Sequence, residues 1–270
     1  MEFEIGLSPC PNDTFMFCAM LEGLVDTHGI TFIPVMKDVQ ELNKLALNDG
    51  IDITKLSFYT YCQVKDNYNL LDSGSALGRG VGPLLVTLAK SEFNMEVPLP
   101  SNVTVAIPGK DTTANFLFSY FQHDEVAKKF MIFNEIEGAI INELVDCGVI
   151  IHENRFTYQD KGLKKIVDLG EYWESKTKLP IPLGGIVAKK NLGKEFADLV
   201  SDILLQSILY ARTNTDRVML FVRQHAQEMD EAVMQKHIDL YVNDFSLSLG
   251  KEGRQAIELM DSIVSKPVVS

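Results

Sequence analysis

No apolar run in this chain approaches the roughly 18 residues that a bilayer-crossing helix needs, so no membrane span is expected. Cysteine is sparse: Cys10, Cys18, Cys62 and Cys147 lie far apart, with neither metal-ligand spacing nor the density of a disulfide scaffold. They read as reduced thiols of a cytosolic protein. Basic residues are outnumbered, 25 Lys and Arg against 37 Asp and Glu, for a formal charge of -12. A nucleic-acid surface needs clustered Lys and Arg, so that partner class is excluded. A small anionic ligand is not, because a few local donors override the global field. Met1-Glu2-Phe3-Glu4 opens acidic and runs straight into a strand-like stretch. No signal peptide is read there, and the cytoplasm is the expected location.

Several familiar motifs are missing as well. The glycine-dense stretch from Gly74 to Pro83 has neither Walker nor dinucleotide spacing, and no helix pattern follows it directly. It reads as a turn and hinge approach. No Gly-x-Ser-x-Gly elbow suggests a serine hydrolase. His28, His123, His225 and His237 lie in helical or loop context without ligand spacing, which argues against a metal site. There is no tandem repeat and no low-complexity tract.

What remains is an ordinary globular composition, 46% hydrophobic and 23% charged, over 270 residues. That length suits one large domain or two small ones, each able to bury a core. Strands are expected at Glu2–Leu7, Ile30–Met36, Ile51–Leu56, Leu84–Leu88, Val103–Ile107, Lys129–Phe133, Gly148–Ile151, Ile166–Leu169 and Ile186–Ala188. Pro34 demotes the second of these to an edge. Thr14–Glu22 is apolar almost all round and predicts a buried helix, capped by Asn12 or Asp13. Asp38-Val39-Gln40-Glu41 and Asn134-Glu135-Ile136-Glu137 have capping-box form, the latter opening a helix to about Val145. Thr112–Phe121 predicts an aromatic-rich helix, and Leu179–Gly185 reads as a linker. From Asn191 the chain is helical, with breaks near Thr213-Asn214, Gln227 and Gly250.

Alternating strands and helices imply an α/β fold with a parallel or mixed sheet, which binds ligands at the carboxyl ends of its strands. That rule selects Ser8–Asp13, Lys55–Ser57, Pro108–Thr113 and His152–Arg155. His152 ends an apolar strand, and imidazole suits proton transfer near neutral pH. A histidine hydrogen-bonded at a lobe boundary is the plainer alternative. Thr112 and Thr113 stand at a helix start that would receive a carboxylate or phosphate, although plain N-capping is the commoner use. Cys10 has no positive neighbour in sequence to lower its pKa, so its loop reads as ligand-site lining. Lys55 and Ser57 read blandly as an exposed lysine and a capping serine, with Asn43 on the preceding helix. Glu153 and Arg155 read as a solvated pair.

Ser8-Pro9-Cys10-Pro11-Asn12-Asp13-Thr14-Phe15, Thr54-Lys55-Leu56-Ser57, Gly78-Arg79-Gly80-Val81-Gly82-Pro83 and Ile150-Ile151-His152-Glu153-Asn154-Arg155-Phe156-Thr157-Tyr158 together resemble the 1,4-dihydroxy-6-naphthoate synthase family. Pro108–Ala114, Val167–Gly170 and Tyr241–Ser246 extend the resemblance over nearly the whole length. It implies a two-lobed fold like the type II periplasmic binding proteins, with a central ligand cleft. Residues 1–88 plus 189–270 would form lobe one, and 89–188 lobe two. The implied activity is that of a carbon–carbon lyase, converting cyclic dehypoxanthine futalosine to 1,4-dihydroxy-6-naphthoate in menaquinone biosynthesis. No metal or organic cofactor is implied. The family's proposed base falls on His152, and its ligand-contacting positions on Lys55, Leu56, Ser57, Thr112, Thr113 and Asn43. A small-anion solute-binding protein of the same fold and the related chorismate dehydratase are the rival readings. A regulator's effector domain is a weaker one. The oligomeric state stays open, a homodimer included.

Overall fold

The computed structural model of the protein describes residues 1–93, 99–122, 125–226 and 230–265. His123 and the helix break expected near Gln227 lie outside the described residues. The chain packs as two units, one made of Met1–Gly78 with Pro182–Ser270 and the other of Arg79–Ile181.

The first unit opens with β1 (Glu2–Leu7) and α1 (Pro11–Leu21). Residues 11–20 of α1 are all buried, as an apolar surface on every side requires. The helix begins earlier than expected, and neither Asn12 nor Asp13 caps it. Cys10 is the N-cap, and Pro11 at the first helical position brings a fixed φ and no N–H to satisfy. β2 (Thr31–Met36) follows as the sheet edge, where Pro34 costs no interior hydrogen bond. Asp38 caps α2 (Val39–Leu47) by accepting from the Gln40 and Glu41 N–H groups. Then come β3 (Ile53–Ser57), α3 (Phe58–Val64), β4 (Tyr68–Leu70) and β5 (Ala76–Gly78).

The second unit carries β6 (Leu84–Leu88), β7 (Thr104–Ile107), α4 (Thr113–Phe121) and β8 (Ala127–Phe130). After it come α5 (Ile136–Ile141), β9 (Cys147–Ile150), α6 (Asn154–Thr157), β10 (Leu163–Asp168) and α7 (Leu169–Thr177). The capping box expected at Asn134 does not form. Phe133–Glu135 is a 3-10 turn, and α5 opens without a side-chain cap and stops short of Val145, with Glu143 left-handed at φ 56°. α7 was not foreseen from the sequence. Asp168 starts it, accepting from the Gly170 and Glu171 N–H groups.

β11 (Ile181–Lys189) then leads back to the first unit, where α8 (Lys194–Thr213), α9 (Thr215–His225), α10 (Glu231–Tyr241), α11 (Asp244–Leu247) and α12 (Gly250–Val264) complete it. The stretch expected to be a linker is therefore strand, flanked by β3 and β4. Its two glycines serve close approach: a Cβ at Gly184 would stand 2.8 Å from the Leu56 carbonyl oxygen, and one at Gly185 2.9 Å from the Phe58 ring.

The first sheet runs β2-β1-β3-β11-β4, with β5 also paired to β11. β1, β2 and β3 are parallel, and β11 is antiparallel to β3 and β4. Its main core joins Ile5, Leu7, Met16, Phe17 and Ile53 to Val200, Leu204 and Ile208 of α8. The second sheet runs β10-β6-β9-β7-β8. There β7 is parallel to β8 and β9, while β6 is antiparallel to β9 and β10. Because β6 is hydrogen-bonded on both sides within this sheet, residues 84–88 pack with the second unit, and the division falls before them rather than after Leu88. The second core gathers Leu84, Val86, Ala106, Ile136, Ile140 and Ile150. Beside it Trp173 meets Phe116 edge-on and Tyr120 at a tilt, and its indole N–H donates to the Pro180 carbonyl at 3.1 Å.

Candidate functional site

Parallel strands bring the expected groups to one sheet edge in each unit. β1 and β3 run together, so the Ser8–Asp13 loop and the end of β3 emerge side by side. β7 and β9 do the same for the Thr112–Thr113 turn and His152.

In the first unit Lys55 is not the exposed residue its sequence neighbours suggest. It is buried, and its ammonium lies 2.5 Å from Oδ1 of Asp13, which is fully buried. The other oxygen of Asp13 accepts from the Ser8 N–H at 2.9 Å and the Ser8 hydroxyl at 2.6 Å. Asn12 donates to Asp13 Oδ1 at 2.9 Å, and the Asn12 carbonyl oxygen lies 2.9 Å from Nε2 of buried His237. A carboxylate with this many donors holds a buried cation in place, since a buried charge persists only when it is paired and hydrogen-bonded. Ser57 does not cap α3 with its side chain. Instead Asn43 brackets it, accepting from the Ser57 N–H at 2.8 Å and donating to its hydroxyl at 3.0 Å. Leu56 packs with Ala46, Val64, Tyr68 and Val187, so its side chain is core and only its backbone borders the polar groups.

In the second unit Thr112 caps α4, accepting from the Asn115 N–H at 3.2 Å and donating to the Gly109 carbonyl at 2.9 Å. Thr113, also buried, is the first helical residue. His152 lies two residues past β9, half-buried, with φ at 57°. A bulky side chain in that left-handed region costs about 1–2 kcal/mol, a strain that clusters at functional sites. The Phe133 ring meets the imidazole edge-on at a centroid distance of 4.8 Å.

Arg155 does not form a solvated pair with Glu153. Its guanidinium donates to the Gly82 carbonyl at 2.9 Å and stands 3.6 Å from Asp168, largely buried. Burial pushes the Asp168 carboxyl up from its ordinary 3.8, against the pull of the Glu171 N–H and Arg155. Here the glycine-dense stretch finds its reason: a Cβ on Gly82 would come within 2.4 Å of the Gly170 Cα. Asn154 donates to buried Glu137 at 2.5 Å, and Lys161 pairs with the same oxygen at 2.6 Å. The loop after β9 is thus tied down just beyond its histidine.

Asp13, His237 and Asp168 were not read as part of these clusters. One signal was available: Asp13 sits in a helix that is apolar on every side, so its carboxylate had to find a buried cation. Burial raises the thiol pKa of Cys18 to about 11 and of Cys62 to about 12, and pushes Cys147 up as well, so none of these three is a ready nucleophile. Among the described residues no helix is long and apolar enough to cross a membrane.

A family described as menaquinone biosynthesis matches residues 3–266. A 1,4-dihydroxy-6-naphthoate synthase of Thermus thermophilus is 41% identical over 256 residues, covering 94% of this chain and 90% of that protein. One from Streptomyces coelicolor is 40% identical over 260 residues, covering 94% and 89%. The crystal structure of an Archaeoglobus fulgidus protein matches with a TM-score of 0.89 at 30% identity, covering 98% of this chain and 96% of that one. A Candida albicans protein described as having the generic periplasmic binding protein fold matches with a TM-score of 0.66 at 11% identity, covering 99% and 92%. The second likeness speaks for the fold alone, and the α/β fold is of the periplasmic-binding-protein type, as expected.

Proposed function

The chain belongs to the menaquinone biosynthesis family, and on that footing we propose that it is a 1,4-dihydroxy-6-naphthoate synthase, a carbon–carbon lyase with His152 as general base. The observation that carries this is about 40% identity with two proteins of that name over 94% of the chain. The proposed substrate is cyclic dehypoxanthine futalosine.

Neutral His152 takes a proton from carbon on the sugar-derived ring. Carbon–carbon cleavage follows, and the new dihydroxynaphthalene ring gains aromatic stabilisation. Imidazole suits this step because its ordinary pKa leaves it largely unprotonated at neutral pH. Its placement supports the role: a left-handed backbone in a loop anchored by Arg155 and Asn154 keeps the ring from collapsing into the core. The start of α4 at Thr112 and Thr113 offers first-turn N–H groups to the substrate's carboxylate. The Lys55 ammonium and the Ser57 hydroxyl, braced by Asn43, supply further polar contacts, with Leu56 setting the end of β3.

The test is to supply cyclic dehypoxanthine futalosine and follow naphthoate absorbance, with the His152→Ala protein alongside. A general base contributes roughly 100- to 10,000-fold, so kcat should fall by that factor with a smaller change in KM. Near-normal turnover by His152→Ala removes the histidine from the mechanism. Binding without turnover by the wild-type protein would leave a solute binder.

A further inference from the structure

His237 is fully buried on α10, yet its Nε2 lies 2.9 Å from the side-chain oxygen of Asn12, 225 residues earlier in the chain. Asn12 gives its amide N–H to Asp13 Oδ1 at 2.9 Å, and the Lys55 ammonium reaches that same oxygen at 2.5 Å. The direction of this chain of bonds follows from chemistry. The Asn12 amide group must face the acceptor-only carboxylate, since a turned amide would set its carbonyl oxygen against Asp13. Its carbonyl oxygen then faces His237, so Nε2 is the nitrogen that carries the hydrogen. The ring of Tyr241, one turn along α10, lies 4.7 Å from the imidazole and limits its rotation.

We propose that His237 is a positioning residue for substrate binding: through Asn12 and Asp13 it fixes the Lys55 ammonium at the end of β3. A lysine head is a point charge on a flexible stem, and a carboxylate of fixed orientation is what gives it a location. The carboxylate is oriented from both sides. Ser8 holds Oδ2 with its N–H and hydroxyl, and Asn12 holds Oδ1. His237 orients Asn12 in turn. Among the described residues Asp13 is the partner of the Lys55 ammonium, which has three N–H donors, so two remain for a substrate oxygen. Linked hydrogen bonds also polarise one another, so the far end of the relay strengthens the near end.

The inference rests on the proposed reaction for its kinetic consequence but not for its structural one, and the experiment separates the two. The proteins compared are wild type, His237→Leu, His237→Gln and Asn12→Ala. Glutamine can place an N–H donor near the position of Nε2, whereas leucine fills the space and donates nothing. Proton–nitrogen NMR selective for lysine ammonium groups reports whether Lys55 is held, because a pinned, buried ammonium exchanges its protons slowly. Steady-state kinetics with cyclic dehypoxanthine futalosine supply the second readout.

The expected result is that His237→Leu and Asn12→Ala lose the Lys55 signal and raise KM about tenfold with kcat little changed, as loss of a uniform binding contact does. His237→Gln restores the signal and most of the affinity. Combining His237→Leu with Asn12→Ala adds little to either alone, because both break one relay. The proposal is overturned if His237→Leu keeps the signal and the wild-type KM, or if His237→Gln melts like wild type yet loses both. If His237→Leu does not fold, Asn12→Ala decides alone on the same two readouts. Should wild type show no turnover, the assigned reaction fails, while the ammonium signal still passes or rejects the relay.

Discussion

The two units hold their strand-end groups in opposite ways. In the first unit charge is set against charge: Lys55 and Asp13 are both buried, and Ser8 and Asn12 saturate the carboxylate. In the second unit the working groups are neutral or strained. Thr112 holds a helix start through its hydroxyl, and His152 sits half-buried on a left-handed backbone beside Phe133. A buried ion pair tolerates no missing partner, since either charge left alone loses its compensation. A half-buried imidazole still has solvent access. The first arrangement suits holding a substrate, the second suits changing one.

That contrast is breakable. The largest effect should come from His152→Ala, at roughly 100- to 10,000-fold in kcat with the melting temperature nearly unchanged, because alanine keeps the Cβ that strains a left-handed backbone and the ring is only half-buried. Parallel losses of stability and rate would make His152 structural and dissolve the contrast. Next is Asp13→Ala, which strands a buried ammonium and should cost about 3–5 kcal/mol in denaturant unfolding. Adding Lys55→Met should recover much of that stability while substrate affinity stays low. If the double variant stays as unstable as the single one, the charge pairing is not what Asp13 does.

Thr112→Ala should cost only about 1 kcal/mol, the worth of an N-cap, with Thr112→Ser close to wild type. A loss several times larger would give the second unit a polar anchor as demanding as the first unit's. The smallest effect is a pH trend. Burial raises the Asp168 pKa above 3.8, so the protonated form is favoured by folding. The stability this brings is fully present below the unfolded value and is lost as pH rises through the folded one. The melting-temperature gap between wild type and Asp168→Asn should therefore shrink from acid toward neutral pH. A gap that is constant, or that widens, would show the Arg155 ion pair outweighing burial.

Local pattern was enough for several elements. The all-apolar helix after β1, the edge position of Pro34 and the Asp38 cap each depend on neighbours a few residues away. The family motifs pointed to Lys55, Ser57, Asn43, Thr112 and His152, and the parallel pairs β1–β3 and β7–β9 put each group at a shared edge. β11 was misread because Gly184-Gly185 looks like a flexible joint, whereas in the sheet those glycines admit the Leu56 backbone and the Phe58 ring. The expected helix after Asn134 is shorter because a capping pattern is only a local preference: no side-chain cap forms, and Glu143 turns left-handed just past the helix end.

Residue types and their order were sufficient to establish an α/β chain and its family. Those are properties of short segments, and short-range sterics and hydrophobic period write them directly into the chain. Which acid meets Lys55, 42 residues away, and which histidine steadies Asn12 from 225 residues away, depended on the folded packing of α10 and β3 against α1. Such pairings carry no local signature, because their energy exists only once burial has removed water and made each donor need its acceptor.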